Sequence, residues 1–247
     1  DLVERVSLSR EAHYELKAHA EKRGIVFLST PFSREAALFL NELDVAAFKT
    51  GSGELTHIPL LTLIAAFGKP MIISTGMSVM SEIEKTVNAV SRINSQVVLM
   101  HCTSEYPTPY RDVNLSCIPQ LQSTFSCPVG ISDHTQGNYA SFAAVAIGAC
   151  VVERHFTLSR SMPGPDQSTS LEPDEFMDLV KGIRAIEQAK GDGVKRITPE
   201  EQEVRHMAGH SLIVLRDVKR GEVLGADIVW AKRPGTGIPA ELLPSIV

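Results

Sequence analysis

Short runs of β-branched and apolar residues recur along the chain at 25–28, 45–48, 70–73, 97–100, 129–131 and 151–152. They begin about 20 to 30 residues apart, the spacing of strands separated by helical crossovers. Between most of them the apolar positions repeat with a helical period, as in 58–67, 79–93, 115–125 and 139–149. A further helical pattern at 9–23 opens the chain, and a long amphipathic one covers 173–189. Strands alternating with helices predict a parallel sheet, since only parallel neighbours need such long connections.

An open doubly wound sheet and a closed eight-stranded barrel share this pattern. The polar residues at the strand ends separate them. In an open sheet ligand groups gather mainly at the switch point, whereas in a barrel nearly every strand delivers chemistry from its C-terminal end. Here the six runs end in Ser29-Thr30, Lys49-Thr50-Gly51-Ser52-Gly53-Glu54, Ser74-Thr75-Gly76, His101-Cys102-Thr103-Ser104-Glu105-Tyr106, Ser132-Asp133-His134 and Glu153-Arg154-His155. The expected fold is therefore a (β/α)8 TIM barrel. Eight strands are needed and six are counted, so two are expected ahead of Asp1, where the chain begins without methionine.

Past the sixth run comes a loop at 159–171 and the long helix. The organisation read from this is a barrel over 1–190, a polar linker over 191–207 and a small β-rich domain over 208–247, incomplete at its end. The net charge of −5 gives no general attraction for nucleic acid or an anionic membrane, so an anionic substrate must be held by locally placed cations. No apolar run reaches the roughly 20 residues needed to cross a bilayer, and a cytoplasmic protein is expected. Cys102, Cys117, Cys127 and Cys150 lack CxxC spacing and read as buried free thiols.

His134 and His155 follow neighbouring strand cores and aim into the barrel mouth. Two neutral imidazoles suit a borderline divalent ion, with remaining positions left to water or a substrate oxygen. A hydrogen-bonded core histidine is the competing reading of each. Asp133 and Glu153 are expected to orient the rings. The Lys49–Glu54 segment joins a cation, a Gly-Ser-Gly turn with free N–H groups and a carboxylate, a pattern able to cradle phosphate. His101 also ends a strand, though Ser104 and Tyr106 offer an equal claim to that part of the rim. The remaining histidines, His13, His19, His57, His206 and His210, read as solvated.

Taken in order, these strand ends, with Met77-Ser78 after Gly76 and with Met162-Pro163-Gly164-Pro165-Asp166, resemble the N-acetylneuraminate (sialic acid) synthase family. The likeness runs from about residue 24 to 238, where Lys232-Arg233-Pro234-Gly235-Thr236-Gly237-Ile238 resembles the core of that family's antifreeze-like (SAF) domain. The resemblance implies condensation of phosphoenolpyruvate with N-acetylmannosamine or a related N-acyl hexose, giving a nonulosonic acid and phosphate. A legionaminic acid-type synthase is the near alternative. It implies manganese held by His134 and His155. Thr30, Lys49, Ser52, Ser104 and Ser132 resemble the phosphoenolpyruvate ligands. Glu54, Tyr106 and Asp166 resemble residues at the sugar or the reacting centre, with Glu54 and Asp166 the catalytic candidates. Arg233, given by a partner subunit, implies a domain-swapped homodimer. Three departures from the family pattern stand out: Ser104 where some members have asparagine, Arg154 where lysine is usual, and Gln167 where histidine is common. The last suggests a catalytically impaired sugar- or metal-binding homologue as the competing function.

Overall fold

The computed structural model describes residues 7–247, which fall into two compact units that divide between Gly191 and Asp192. In the first, helices α1 (Arg10–Lys22) and α2 (Arg34–Glu42) precede strand β1 (Phe48–Thr50). The chain then alternates: α3 (Ile58–Ala65), β2 (Met71–Ser74), α4 (Met80–Ser91), β3 (Val97–Cys102), α5 (Cys117–Phe125), β4 (Val129–Asp133), α6 (Tyr139–Ala146) and β5 (Val152–Arg154), closing with α7 (Pro173–Lys190). The five strands pair in chain order, all parallel.

The expected parallel α/β layering is present, and five of the six expected strands form. The exception is 25–28, which takes no strand, with Ile25 and Val26 exposed. A β-rich composition is not enough without a neighbour offering its free N–H and C=O groups, and Ile25 N–H instead donates to Ala20 O at 3.0 Å, turning the chain off α1. Helix α2 is an element the apolar periodicity did not single out. Its start is local chemistry: the Ser33 hydroxyl accepts the Ala36 N–H at 3.1 Å, and Ala37 and Leu40 turn inward one helical step apart.

The core lies on one face of the sheet. Alternation sends Phe48, Met71, Ile73, Val97, Leu99, Val129 and Ile131 outward against the helices, where they meet Leu61, Ile64, Val90, Ile118, Leu121 and Ala144. Each such fully buried aliphatic side chain contributes roughly 1.5–3 kcal/mol. The opposite face carries Lys49, Ile72 and Glu153 along a cleft of about 440 Å³, with Leu28, Ser29 and Thr30 at its side. One face is thus committed to packing and the other to chemistry.

The second unit holds α8 (Pro199–Ala208) and an antiparallel pair, β6 (Ser211–Val214) with β7 (Val229–Lys232). The stretch 191–207, read from its polarity as a linker, therefore contains a helix. Thr198 starts it with a capping box, its hydroxyl accepting Glu201 N–H at 3.2 Å while the Glu201 carboxylate accepts Thr198 N–H at 2.9 Å. Among the described residues no helix is long and apolar enough to cross a membrane.

Candidate active site

The register of β4 and β5 builds the centre of the site. Ser132 lies opposite Glu153 and Asp133 opposite Arg154, so registered partners share a face and faces alternate along the pair. Ser132 and Glu153 face the cleft, where the serine hydroxyl donates to Glu153 Oε1 at 2.7 Å. One residue further, the alternation turns Asp133 and Arg154 to the packed face. The next step brings His134 and His155 back to the face of Ser132 and Glu153, with ring centroids 5.1 Å apart.

Each ring is oriented, though not by the expected partners. His134 Nδ1 donates to the Thr103 carbonyl at 2.8 Å, which makes Nδ1 a protonated nitrogen, and Nε2 lies 3.5 Å from the Ser132 hydroxyl. His155 Nδ1 lies 3.5 Å from the Asp166 carboxylate. Asp133 bonds neither ring directly, because alternation carries it to the other face, where it meets Arg154, Thr135 and Ser141. Glu153 instead spans Ser132 and Lys49, whose Nζ is 3.4 Å from Glu153 Oε2. Tyr106 covers the histidine pair, its ring 4.2 Å from that of His134 and 5.5 Å from that of His155.

Lys49 anchors the other end of the inner face. Its ammonium donates to Ser74 Oγ and to the Thr50 carbonyl, both at 2.8 Å. Between the two ends is a hydroxyl-lined cradle. Ser52 Oγ accepts the Gly76 N–H at 3.1 Å and donates to Cys102 Sγ at 3.6 Å, and Ser104 Oγ lies 3.8 Å from the same sulfur. A Cβ on Gly76 would sit 2.4 Å from Ser104 Oγ and 2.6 Å from Ser52 Oγ, so only glycine leaves room for both hydroxyls. Glu54 follows Ser52 and Gly53 in the chain, with its Oε2 buried and without a hydrogen-bond partner.

The electrostatics follow from these neighbours. Burial pushes the Cys102 thiol up, but hydrogen bonds with His134 and Ser52 outweigh it and hold the group below its ordinary value. Burial disfavours charge on His134 too, yet its bonds to Cys102 and the Thr103 carbonyl carry its pKa above the ordinary value. His155 goes the other way, because burial lowers it and the Asp166 charge offsets this only in part. The phenol of Tyr106 is raised by burial and by the negative groups around it.

Of the residues singled out in the sequence, Lys49, Ser52, Ser104, Tyr106, Ser132, His134, His155 and Asp166 lie in this connected set. Thr30 lies on the cleft beside Lys49. Arg233 is exposed in the second unit, just beyond β7. His101 is not at the rim: its ring is buried on the packed face and bonds the Val113 carbonyl at 2.6 Å. Reasoning from residue types passed over Cys102 as a small hydrophobe and could not reach the Thr103 carbonyl, since any residue supplies a carbonyl. The four thiols are free as expected, but only Cys102 is buried and Cys150 is exposed.

Two imidazoles are the donor chemistry that a borderline divalent ion takes. Among the described residues no group of three or more His, Cys, Asp or Glu side chains is arranged to hold one. The protein thus offers two imidazoles, each with one nitrogen engaged or facing a carboxylate, and leaves other positions to water or substrate.

Comparison with known proteins gives the family of the chain. The model of the NeuB family matches residues 1–195. The chain is 44% identical to the N,N'-diacetyllegionaminic acid synthase of Campylobacter jejuni, over 97% of this chain and 72% of that protein. It is 37% identical to the human N-acetylneuraminate-9-phosphate synthase, over 92% of this chain and 64% of that protein. Among solved structures, the sialic acid synthetase of Leptospira borgpetersenii in complex with citrate superposes with a TM-score of 0.78 at 35% identity, covering 82% of this chain and 71% of that one.

Proposed function

The chain belongs to the NeuB family, and from that premise we propose that it condenses phosphoenolpyruvate with an N-acyl hexose and water, releasing phosphate and a nonulosonic acid. The observation that supports this most directly is the inner-face series Lys49, Glu153, Ser132, His134 and His155, a run of contacts from a cation to a pair of imidazoles.

In this reading Lys49 and the Ser52, Ser104 and Ser132 hydroxyls bind the phosphate and carboxylate of phosphoenolpyruvate, with Thr30 at the cleft wall. His134 and His155 hold a divalent ion, proposed as manganese. When bound, such an ion supplies Lewis-acid polarisation of the sugar's aldehyde oxygen. Tyr106 covers the imidazoles and shields that end of the cleft from bulk water. C3 of phosphoenolpyruvate attacks the aldehyde carbon, positive charge develops at C2, water adds there, and the C2–O bond to phosphate then breaks. The unpartnered Glu54 carboxylate is placed in the reading to stabilise that positive centre, and Asp166 to contact the sugar beside His155. The five-stranded sheet is an arc of a (β/α)8 barrel, the second unit an antiparallel SAF domain, and Arg233 reaches the site of a partner subunit in a domain-swapped homodimer.

The decisive measurement is phosphate release from phosphoenolpyruvate by the full chain with Mn²⁺, in the presence and absence of N-acyl hexoses. Release is expected only with both metal and sugar. No release with any sugar of the panel, despite bound metal, would sink the proposal. A second reading concerns the sugar: the 44% identity to a legionaminic acid synthase exceeds the 37% to the human sialic acid 9-phosphate enzyme. Comparing kcat/KM for the corresponding hexoses decides between them.

A further inference from the structure

On the packed face of the sheet, behind the histidines, Asp133 and Arg154 form an ion pair with a 2.5 Å contact and no solvent exposure of either side chain. Two further donors bracket the carboxylate: Thr135 N–H to Oδ1 at 2.8 Å and the Ser141 hydroxyl to Oδ2 at 2.6 Å. The guanidinium reaches on, its Nη2 donating to the Thr135 carbonyl at 2.7 Å and pointing at the Thr169 carbonyl at 3.4 Å.

The sequence positions of these contacts matter more than their number. Arg154 grips the residue before His134 through its side chain and the residue after it through its carbonyl. It is itself the residue before His155. Through Thr169 it also touches the base of the loop that carries Asp166, whose end is fastened where Leu171 N–H donates to the His155 carbonyl at 2.9 Å. His134, His155 and the loop that carries Asp166 thus all connect to one guanidinium that has no solvent exposure. Nη2 serves both carbonyls, Nη1 meets the carboxylate as an ion pair without a hydrogen bond, and Nε is buried without a partner, so the anchoring rests on one nitrogen and one charge.

We propose that Arg154 is a positioning residue for the metal site: with Asp133 and Ser141 it fixes the separation and tilt of the His134 and His155 rings and so sets metal affinity from the far side of the sheet. This rests on the reading of those histidines as ligands. The competing account is that the pair only stabilises the fold. The two differ because a loss of global stability does not by itself weaken binding to the chains that remain folded.

The test is Mn²⁺ binding to the full chain by titration calorimetry without either substrate, beside thermal unfolding of the same samples. Arg154→Met is expected to weaken Mn²⁺ binding about 10- to 100-fold. Ser141→Ala, which removes one bond and keeps the ion pair, is expected to weaken it several-fold and gives the answer if the methionine variant does not fold. Arg154→Lys, which restores the charge opposite Asp133, is expected to lie between Arg154→Met and the parent chain. Val90→Ala, a core truncation in α4 away from the site, should lower the unfolding temperature and leave the affinity unchanged. Unchanged affinity in folded Arg154→Met and in Ser141→Ala overturns the proposal, as does an equal loss in Val90→Ala. Failure of the parent chain to bind Mn²⁺ overturns the ligand reading and this inference with it.

Discussion

At the scale of single residues, strand alternation decides which side chains meet. Lys49 is the clearest case, because its ammonium contacts Ser74, Thr50 and Glu153 and no other lysine or arginine lines the same end of the cleft except Arg154. Replacing it with methionine keeps the length and removes the charge. We predict a fall in kcat/KM for phosphoenolpyruvate of about 10²-fold, the scale of losing one preorganised electrostatic contact. Steady-state kinetics showing less than a threefold change would take Lys49 out of the site. His101 supports a different prediction. Burial holds its imidazole below the ordinary histidine value, against the smaller opposing effect of its bond to the Val113 carbonyl. The unfolded chain therefore takes up a proton before the folded one does. This group's contribution is present in full above about pH 6.5 and is lost as pH falls through the window between the ordinary and the depressed value. Urea midpoints of His101→Gln should accordingly fall less steeply with acidification than those of the parent chain. The acidic, basic and hydroxyl members of the site were legible as residue types at strand ends. Asp133 was legible as a polar residue but not as to direction, since a one-residue step separates the packed face from the cleft.

At the scale of elements, the parallel order and most helix limits follow from periodicity, and β2 to β5 form within a residue or two of the apolar runs. Two misreadings share a cause. The run at 25–28 had strand composition without a strand partner, and 191–207 had linker composition with a capping box inside it. Composition reports what a segment tolerates, whereas backbone partners and caps decide what it adopts. The turn after β2 makes a prediction of this kind. Gly76→Ala places a Cβ where the Ser52 and Ser104 hydroxyls lie, and overpacking of this sort costs about 1–3 kcal/mol. The expected result is unchanged far-ultraviolet circular dichroism with weakened phosphoenolpyruvate binding. Normal binding would show that the cradle opens without loss.

At the scale of the molecule, the two compact units are joined through a stretch, 191–200, in which every residue is exposed. Brief trypsin treatment is predicted to cut first after Lys195 or Arg196, seen by mass spectrometry as a fragment ending at one of those residues. First cuts inside α7 or the sheet would contradict this. The registered face of β4 and β5 has a consequence for how such a protein tolerates change over generations. Substitutions there act one contact at a time and can be compensated by a neighbour. An inserted or deleted residue instead shifts its own strand by one: in β4 it would turn Asp133 to the inner face and His134 toward the helices, and in β5 it would do the same to Arg154 and His155. Lineages of this sequence should therefore keep the length of these two strands invariant even where single residues around them change.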